Sequence, residues 1–193
     1  MLHSIARFSL AAALSAGMAA AAVAAPVTYE VDARHSFASF GYEHIGLSIQ
    51  QHRFNGTKGT IVLDTEAKTG SVDITVDTTT ITTGNDAFDK HIQGPDFLDT
   101  EAFPDATFKS TKVIFEGDKP VAAEGDLTIK GVTKPVKLNL TYFAAREHPQ
   151  VKKPALGANA TAVIKRSDFN AAKFVPAVAD EVTLKLAVEA IAP

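Results

Sequence analysis

Apolar and polar residues alternate most regularly between Glu124 and Tyr142. A turn rich in Gly and Pro interrupts this alternation and the same pattern resumes after it, which predicts an antiparallel hairpin. The apolar members are Leu127, Ile129, Val136, Leu138, Leu140 and Tyr142. Polar residues fill the positions between them, so the hairpin has one apolar face and one solvent-exposed face, as in the wall of a barrel or sandwich.

The same two-residue period recurs along most of the chain. It predicts further strands at 27–31, 38–42, 59–63, 72–76, 107–115, 121–129, 135–143, 157–164 and 180–190, an exposed loop at 144–154 and a tight turn at 166–170. The spacing changes after Asn85, where Phe88 and Ile92 lie four residues apart and predict one or two helical turns. Gly94-Pro95 should end this helical segment.

The predicted elements indicate an all-β fold. About eight to ten short strands with a single helical interruption are typical of an antiparallel barrel or sandwich. The last strand, at 180–190, is regular and would leave an exposed edge unless it pairs. We therefore favour closure into a barrel.

The strand at 157–164 suggests a hollow interior. Its inward positions are expected to be Ala158, Ala160 and Ala162, which fill little volume. The chain also contains 12 Phe and no Trp, so rigid rings are available for the opposite wall. Two alternatives remain open at this stage: a shaped apolar cavity, or a plain interaction domain whose aromatic residues form a solid core.

The N-terminal residues are predicted to be an export signal. Arg7 precedes an Ala-rich apolar run from Phe8 to Ala25, and Ala22-Val23-Ala24 fits a small-x-small cleavage pattern. We expect a signal peptide at 1–24 and a single mature domain at 25–193, without a transmembrane segment in the mature chain.

Composition excludes several classes of function. The chain contains no Cys, which removes disulfides, thiol chemistry and a lipidated cysteine. The formal net charge is −3 and the Lys residues are scattered, so the sequence lacks the clustered positive charge typical of proteins that bind nucleic acid. A domain of this size can bury enough apolar surface to fold without disulfides.

Several motifs resemble the YceI-like family of exported polyisoprenoid-binding proteins. They follow the family order over nearly the whole mature chain. They are Tyr29-Glu30-Val31-Asp32, His35-Ser36, Phe40, His44, Thr83-Gly84, Asp89, His91, Asp96-Phe97, Phe103-Pro104, 107–111, 125–136 and Arg166-Ser167-Asp168-Phe169. The chain departs from the family at Asn170, where Gly is usual, and at Gln51-His52-Arg53, where the residue before Phe54 is usually small or aliphatic.

The resemblance implies a lipocalin-like, eight-stranded antiparallel barrel with a short helical crossover, located in the periplasm. It implies a carrier or scavenger that holds a polyisoprenoid or similar amphiphile in its lumen and requires no cofactor. The bound molecule could be a polyisoprenoid or an isoprenoid quinone. The alternative is a redox or stress-response enzyme component that acts on a bound quinone. A lipid is the expected partner, and a homodimer is left open.

The expected ligand contacts are mostly aromatic or aliphatic. Tail contacts are predicted for Phe40, Tyr42, Phe88, Ile92, Phe97, Phe103, Phe108, Leu127, Ala160 and Phe169. His44 and His91 are the candidate polar contacts near the opening.

The sequence offers no clear catalytic or metal-binding set. His35, His44, His52, His91 and His148 lack His-x-His or helical i, i+4 spacing, so we predict no metal site. The sequence contains no Gly-x-Ser-x-Gly or Walker spacing, so we predict no catalytic residues. An ion pair with Asp168 or Asp180 is the expected role of Arg166, and contact with an anionic headgroup is the alternative.

Overall fold

The computed structural model describes residues 25–193, and the expected signal peptide at 1–24 lies outside the described residues. Strands account for most of the described chain, with one α-helix and one 3-10 helix. The elements are β1 (Val27–Val31), β2 (Phe37–His44), β3 (Ser48–Asp64), β4 (Thr69–Thr82), α1 (Asp86–Gln93), β5 (Asp105–Glu116), β6 (Lys119–Ile129), β7 (Val132–Glu147), β8 (Pro154–Lys165), the 3-10 helix (Arg166–Phe169) and β9 (Glu181–Ile191).

The strands close into an antiparallel barrel. β1 and β2 lie end to end, because both pair with β3 on one side and with β9 on the other. The nine strands therefore occupy eight positions around the barrel, in the order β1/β2, β3, β4, β5, β6, β7, β8 and β9. The predicted eight-stranded antiparallel barrel with a short helical crossover is confirmed.

A hydrogen-bonded turn joins β1 to β2. The Asp32 carboxylate accepts the backbone N–H of Arg34 at 3.0 Å and lies 2.8 Å from Nδ1 of His35. Hydrogen bonds from the side chains of Arg34 and His35 hold the pKa of the Asp32 carboxyl well below its usual range. The Ser36 hydroxyl donates to the carbonyl of Glu189 at 3.1 Å, which keeps the turn attached to β9.

The hairpin predicted from the alternation forms as β6 and β7. Leu127 and Leu138 are buried on its inner face, as predicted. Tyr142 is 59% exposed, so its predicted inward position is wrong. A β-bulge between Leu140 and Tyr142 adds one residue to β7, which reverses the phase of the alternation. Phe143 takes the inward position instead.

Several strands are longer than the sequence predicts, and β3 and β7 show why. β3 begins at Ser48 rather than at Gly59, and a bulge after Phe54 breaks the alternation that would have revealed its full length. β7 continues to Glu147, so the first part of the predicted loop at 144–154 is strand that pairs with β8. The charged residues there suggested a loop, but an antiparallel strand needs only one apolar face and can carry charged residues on its solvent-exposed face.

The predicted helical interruption and the predicted tight turn both form. The Asn85 side chain caps α1 by accepting the backbone N–H groups of Ala87 at 3.0 Å and Phe88 at 3.1 Å. The tight turn at 166–170 is the 3-10 helix, which ends at Asn170 with a φ of 56°. Asn tolerates this left-handed conformation, so the turn survives where the family usually has Gly.

Two connections lie over the same end of the barrel, which we call the mouth. The crossover, residues 94–104, leads from α1 to β5, and the strap, residues 171–180, leads from the 3-10 helix to β9. The strap is attached to the turn after β2, because the amide of Ile45 donates to the carbonyl of Ala177 at 3.0 Å. The mouth is therefore framed by irregular segments rather than by strands.

Candidate ligand-binding cavity

Two adjoining cavities occupy the barrel lumen. The mouth cavity, beside the crossover and strap, has a volume of about 240 Å³. The deep cavity, farther from the mouth, has a volume of about 200 Å³. The residues that line both are Phe54, Ala106, Ile129 and Leu184. Side chains leave this interior unfilled. A domain that binds a ligand in its lumen needs such a space, whereas an interaction domain with a solid core does not.

Aromatic rings form much of the mouth-cavity wall. The centroid of the Phe40 ring lies 6.2 Å from that of Tyr42 and 5.5 Å from that of Phe54. On the side of the crossover, the His91 ring lies 4.8 Å from Phe97. The predicted ligand contacts that line this cavity are Phe40, Tyr42, His44, Phe88, His91, Ile92, Phe97 and Phe169.

Small and aliphatic side chains form much of the deep-cavity wall. Ala160 on β8 lies between Leu140 of β7 and Leu186 of β9, and all three line the cavity. Alanine leaves space that a larger residue at this position would occupy, as expected from the sequence. The predicted ligand contacts that line this cavity are Phe108, Leu127 and Ala160.

Phe103 is the one predicted ligand contact that lines neither cavity. Its ring lies over the turn between β6 and β7, close to Gly131. The backbone carbonyl of Phe103 accepts a hydrogen bond from the hydroxyl of Thr78 at 3.1 Å. Phe103 therefore packs the crossover onto the barrel, and its position does not support the predicted ligand contact.

Several aromatic or aliphatic wall residues of the mouth cavity were not predicted as ligand contacts, among them Phe54, Phe174 and Val178. Phe54 precedes the bulge in β3, where the alternation is interrupted. Phe174 and Val178 belong to the strap, which has no period to indicate an inward face. An aromatic residue in a loop was the available signal for Phe174, whose ring lies 6.2 Å from that of Phe97.

Arg166 binds backbone carbonyls of the strap. Its Nε donates to the carbonyl of Ala179 at 2.8 Å, and its Nη2 donates to that of Val178 at 2.8 Å. The full set of acceptors consists of the carbonyls of Ala171, Lys173, Val178 and Ala179. One side chain therefore fixes both ends of the strap to the 3-10 helix.

The predicted ion pair of Arg166 is wrong. Within residues 25–193, no carboxylate forms an ion pair with its guanidinium. The Asp180 carboxylate instead accepts the backbone N–H of Ser167 at 2.8 Å and its hydroxyl at 2.7 Å. The hydrogen bond from the Ser167 side chain is the largest cause that lowers the pKa of Asp180.

Polar contacts hold the crossover close to the strap and to the end of the 3-10 helix. The Lys130 ammonium donates to the carbonyl of Pro95 at 2.6 Å and to that of Asn170 at 3.0 Å. Lys173 forms an ion pair with Asp96 at 3.3 Å. Both side chains of this pair are substantially exposed, and such pairs contribute about 0–1 kcal/mol. The contacts between the two covering segments are therefore easier to separate than the barrel strands.

A polar pair interrupts the apolar wall near the mouth. The Tyr42 hydroxyl lies 3.3 Å from Nε2 of His52. The His52 side chain is 6% exposed and contacts the rings of Phe40, Tyr42 and Phe88. Burial lowers the pKa of His52, with partial opposition from the Asp89 carboxylate, and burial raises the pKa of Tyr42. Both side chains therefore favour their neutral forms.

Residues 25–193 lack both a cluster of metal ligands and a membrane-spanning helix. Within residues 25–193, no group of three or more His, Cys, Asp or Glu side chains could hold a metal ion. No helix in that part of the chain is long and apolar enough to cross a membrane. His35, considered as a ligand from the sequence, lies beside Asp32 at the β1–β2 turn.

Comparisons with known proteins identify the family. Residues 29–190 match the YceI-like domain. Protein YceI of Escherichia coli O6:H1 is 36% identical over 174 residues, which cover 90% of each chain. BcnA of Burkholderia cenocepacia has a similar structure, with a TM-score of 0.71 and 25% identity over 82% of this chain and 98% of BcnA.

A more distant structure shares the fold. It is a polyisoprenoid-binding domain from Saccharophagus degradans implicated in plant cell wall breakdown, with a TM-score of 0.65 and 16% identity. The match covers 86% of this chain and 99% of that domain. With its barrel, its crossover and its match over residues 29–190, the chain belongs to the YceI-like family.

Proposed function

We propose that the protein is a carrier or scavenger that binds a polyisoprenoid or similar long-chain amphiphile in the barrel lumen. The observation that carries this proposal is the pair of adjoining, mostly apolar cavities of about 240 and 200 Å³. Together they fall in the range of about 300–1,000 Å³ that is common for ligand pockets. The ligand of the Saccharophagus degradans domain supports the choice of ligand class.

Apolar burial provides the driving force for binding. Each Å² of apolar surface removed from water contributes about 25 cal/mol, less the cost of ordering the flexible tail. The wall also gains dispersion contacts that an empty cavity lacks. A prenyl tail therefore needs few polar contacts to bind in this lumen.

The distribution of side chains suggests an orientation for the ligand. The deep cavity is lined by Leu127, Leu138 and Ala160 and suits the end of the tail. The mouth cavity includes the hydroxyl and imidazole groups of Tyr42 and His44 and suits the polar end. Entry then occurs between the crossover and the strap, whose mutual contacts are weak.

The proposed location is the periplasm. The support is the apolar, Ala-rich segment at 1–24 with its small-x-small pattern. Expression of the full chain in a Gram-negative host, followed by cell fractionation and intact-mass measurement, tests this point. We expect a periplasmic protein that begins at Ala25, whereas an uncleaved cytoplasmic chain would contradict the proposal.

Direct identification of the ligand tests the carrier function. Protein purified without detergent is extracted with organic solvent, and the extract is analysed by mass spectrometry. We expect a co-purified isoprenoid lipid, and we expect delipidated protein to take up added octaprenol. An empty extract together with no uptake of octaprenol would refute the function.

A further inference from the structure

His52 is a buried polar residue whose hydrogen bonding is incomplete. Its side chain is 6% exposed, and its Nδ1 atom has no hydrogen-bond partner. Three aromatic rings that contact it, those of Phe40, Tyr42 and Phe88, line the mouth cavity. Burial of an unpaired polar atom is unfavourable, so an apolar residue would suit a purely structural role here better.

The unpaired Nδ1 atom indicates which nitrogen of His52 carries the proton. A neutral imidazole has one N–H donor and one acceptor nitrogen. Among buried backbone groups, an unpaired N–H is rarer than an unpaired acceptor, and by the same preference we assign the proton of His52 to Nε2. Nε2 then donates to the Tyr42 hydroxyl oxygen, 3.3 Å away. This arrangement leaves the Tyr42 hydroxyl proton without an acceptor in the barrel wall.

The Tyr42 hydroxyl is therefore a hydrogen-bond donor in a mostly apolar cavity. Tyr42 lines the mouth cavity, whereas His52 lies behind it. The nearby cation of Arg166 is already engaged, because four of its N–H groups donate to strap carbonyls. Besides the imidazoles of His44 and His91, the mouth cavity thus offers the neutral Tyr42 donor, and Arg166 has no free guanidinium fork of the kind that binds phosphate.

We propose that Tyr42, positioned by His52, binds the carbonyl oxygen of an uncharged isoprenoid ligand. This inference rests on the proposed function and specifies the polar end of the ligand. The carbonyl lies in the mouth cavity and accepts the Tyr42 proton, and the tail extends past Phe54 and Leu184 into the deep cavity. An anionic head group is disfavoured, because the Arg166 guanidinium that lines the mouth cavity already donates its hydrogen bonds to strap carbonyls.

Matched ligands test the inference. Binding of delipidated full-length protein is measured for geranylgeranylacetone, for the hydrocarbon in which CH₂ replaces its carbonyl, and for geranylgeranyl monophosphate. One hydrogen bond should make the ketone bind about tenfold more tightly than the hydrocarbon. The phosphate should bind more weakly than the ketone.

Tyr42→Phe removes only the proposed donor. The Tyr42→Phe variant should bind the ketone no more tightly than the hydrocarbon. The control is Tyr29→Phe, which deletes the hydroxyl of a buried tyrosine that lines neither cavity. This control should retain the preference for the ketone.

The positioning role of His52 has its own pair of variants. His52→Gln keeps a side-chain N–H near the position of Nε2, whereas His52→Leu removes it. We expect Gln to preserve the ketone preference and Leu to lose it. The infrared C=O band of bound, carbon-13-labelled ketone should lie at lower frequency in wild type and His52→Gln than in Tyr42→Phe and His52→Leu.

The outcomes separate this inference from the proposed function. Equal binding of ketone and hydrocarbon by wild type, a ketone preference that persists in Tyr42→Phe, or tightest binding of the phosphate would each overturn the Tyr42 site. The carrier function would survive all three results. If wild type binds neither these isoprenoids nor octaprenol, the carrier function fails and the inference falls with it.

Discussion

The ring of Phe103 lies so close to Gly131 that a Cβ atom on this glycine would be 2.7 Å from Cε1 of Phe103. Gly131 has a φ of 74° and follows Lys130, whose φ is 48°. Two successive residues of positive φ are typical of the tight hairpin turns that connect antiparallel strands. The turn therefore needs glycine both for its backbone conformation and for the approach of the ring.

Gly131→Ala should destabilise the protein by two separable effects. The left-handed backbone costs about 1 kcal/mol for alanine, and displacement of the Phe103 ring adds about 1–3 kcal/mol. Gly117→Ala is the matched control, because Gly117 has a φ of 59° and open space around it. Urea unfolding should show the larger loss for Gly131→Ala, and equal losses would exclude the steric contribution.

Arg166→Lys should destabilise the strap although the charge is retained. Lysine cannot reproduce the planar fork that donates to several carbonyls, so we expect a loss of about 2–3 kcal/mol in the free energy of unfolding. Chemical denaturation measures this loss, and amide exchange should show faster opening of residues 171–180. Asp168→Asn, in the same 3-10 helix, should change stability by less than about 0.5 kcal/mol. A stable Arg166→Lys protein would show that charge alone is sufficient.

Local patterns predicted the regular parts of the fold well. The hairpin around Leu127 and Leu138 was recognisable because its one buried face imposes a period of two. The helix after Asn85 was recognisable from the spacing of Phe88 and Ile92. These features are determined by residues close together in the chain, so they can be predicted from one sequence.

The remaining features depend on partners distant in sequence. The bulge that exposes Tyr142 is set by the register between β7 and β8, which the alternation within β7 does not encode. Phe103 looked like a ligand contact because an aromatic residue in a crossover has no period to orient it. Arg166 was predicted to form an ion pair because acidic side chains can be recognised in a sequence. Every residue carries a backbone carbonyl, so the sequence does not indicate which carbonyls Arg166 binds.

Ala160→Leu should shorten the space available to a ligand tail. Ala160 is 8% exposed and lines the deep cavity, so added methyl groups extend into the lumen. We expect about tenfold weaker binding of octaprenol and little change for the shorter geranylgeraniol, as loss of a few buried CH₂ groups implies. Direct binding to delipidated protein measures both affinities.

An outward substitution on the same strand controls for general effects on β8. Val163 is 62% exposed on the outer face, so Val163→Leu should leave both affinities unchanged. If Ala160→Leu weakened the binding of both alcohols equally, the deep cavity would not be the site of the tail end.

Stability should fall under mildly acidic conditions because of His52. Burial lowers the pKa of His52 in the folded protein, although Asp89 partly opposes this shift, so the unfolded chain binds the proton more readily. The contribution of His52 to stability is therefore fully present above its unfolded pKa of about 6.5 and is lost as pH falls toward the lower folded pKa.

His52→Phe keeps an aromatic ring without a titrating group. Urea unfolding at several pH values should show a steeper loss of stability below about pH 6.5 in wild type than in His52→Phe. Parallel curves would show that His52 titrates alike in the folded and unfolded states, contrary to its burial beside Phe40, Tyr42 and Phe88.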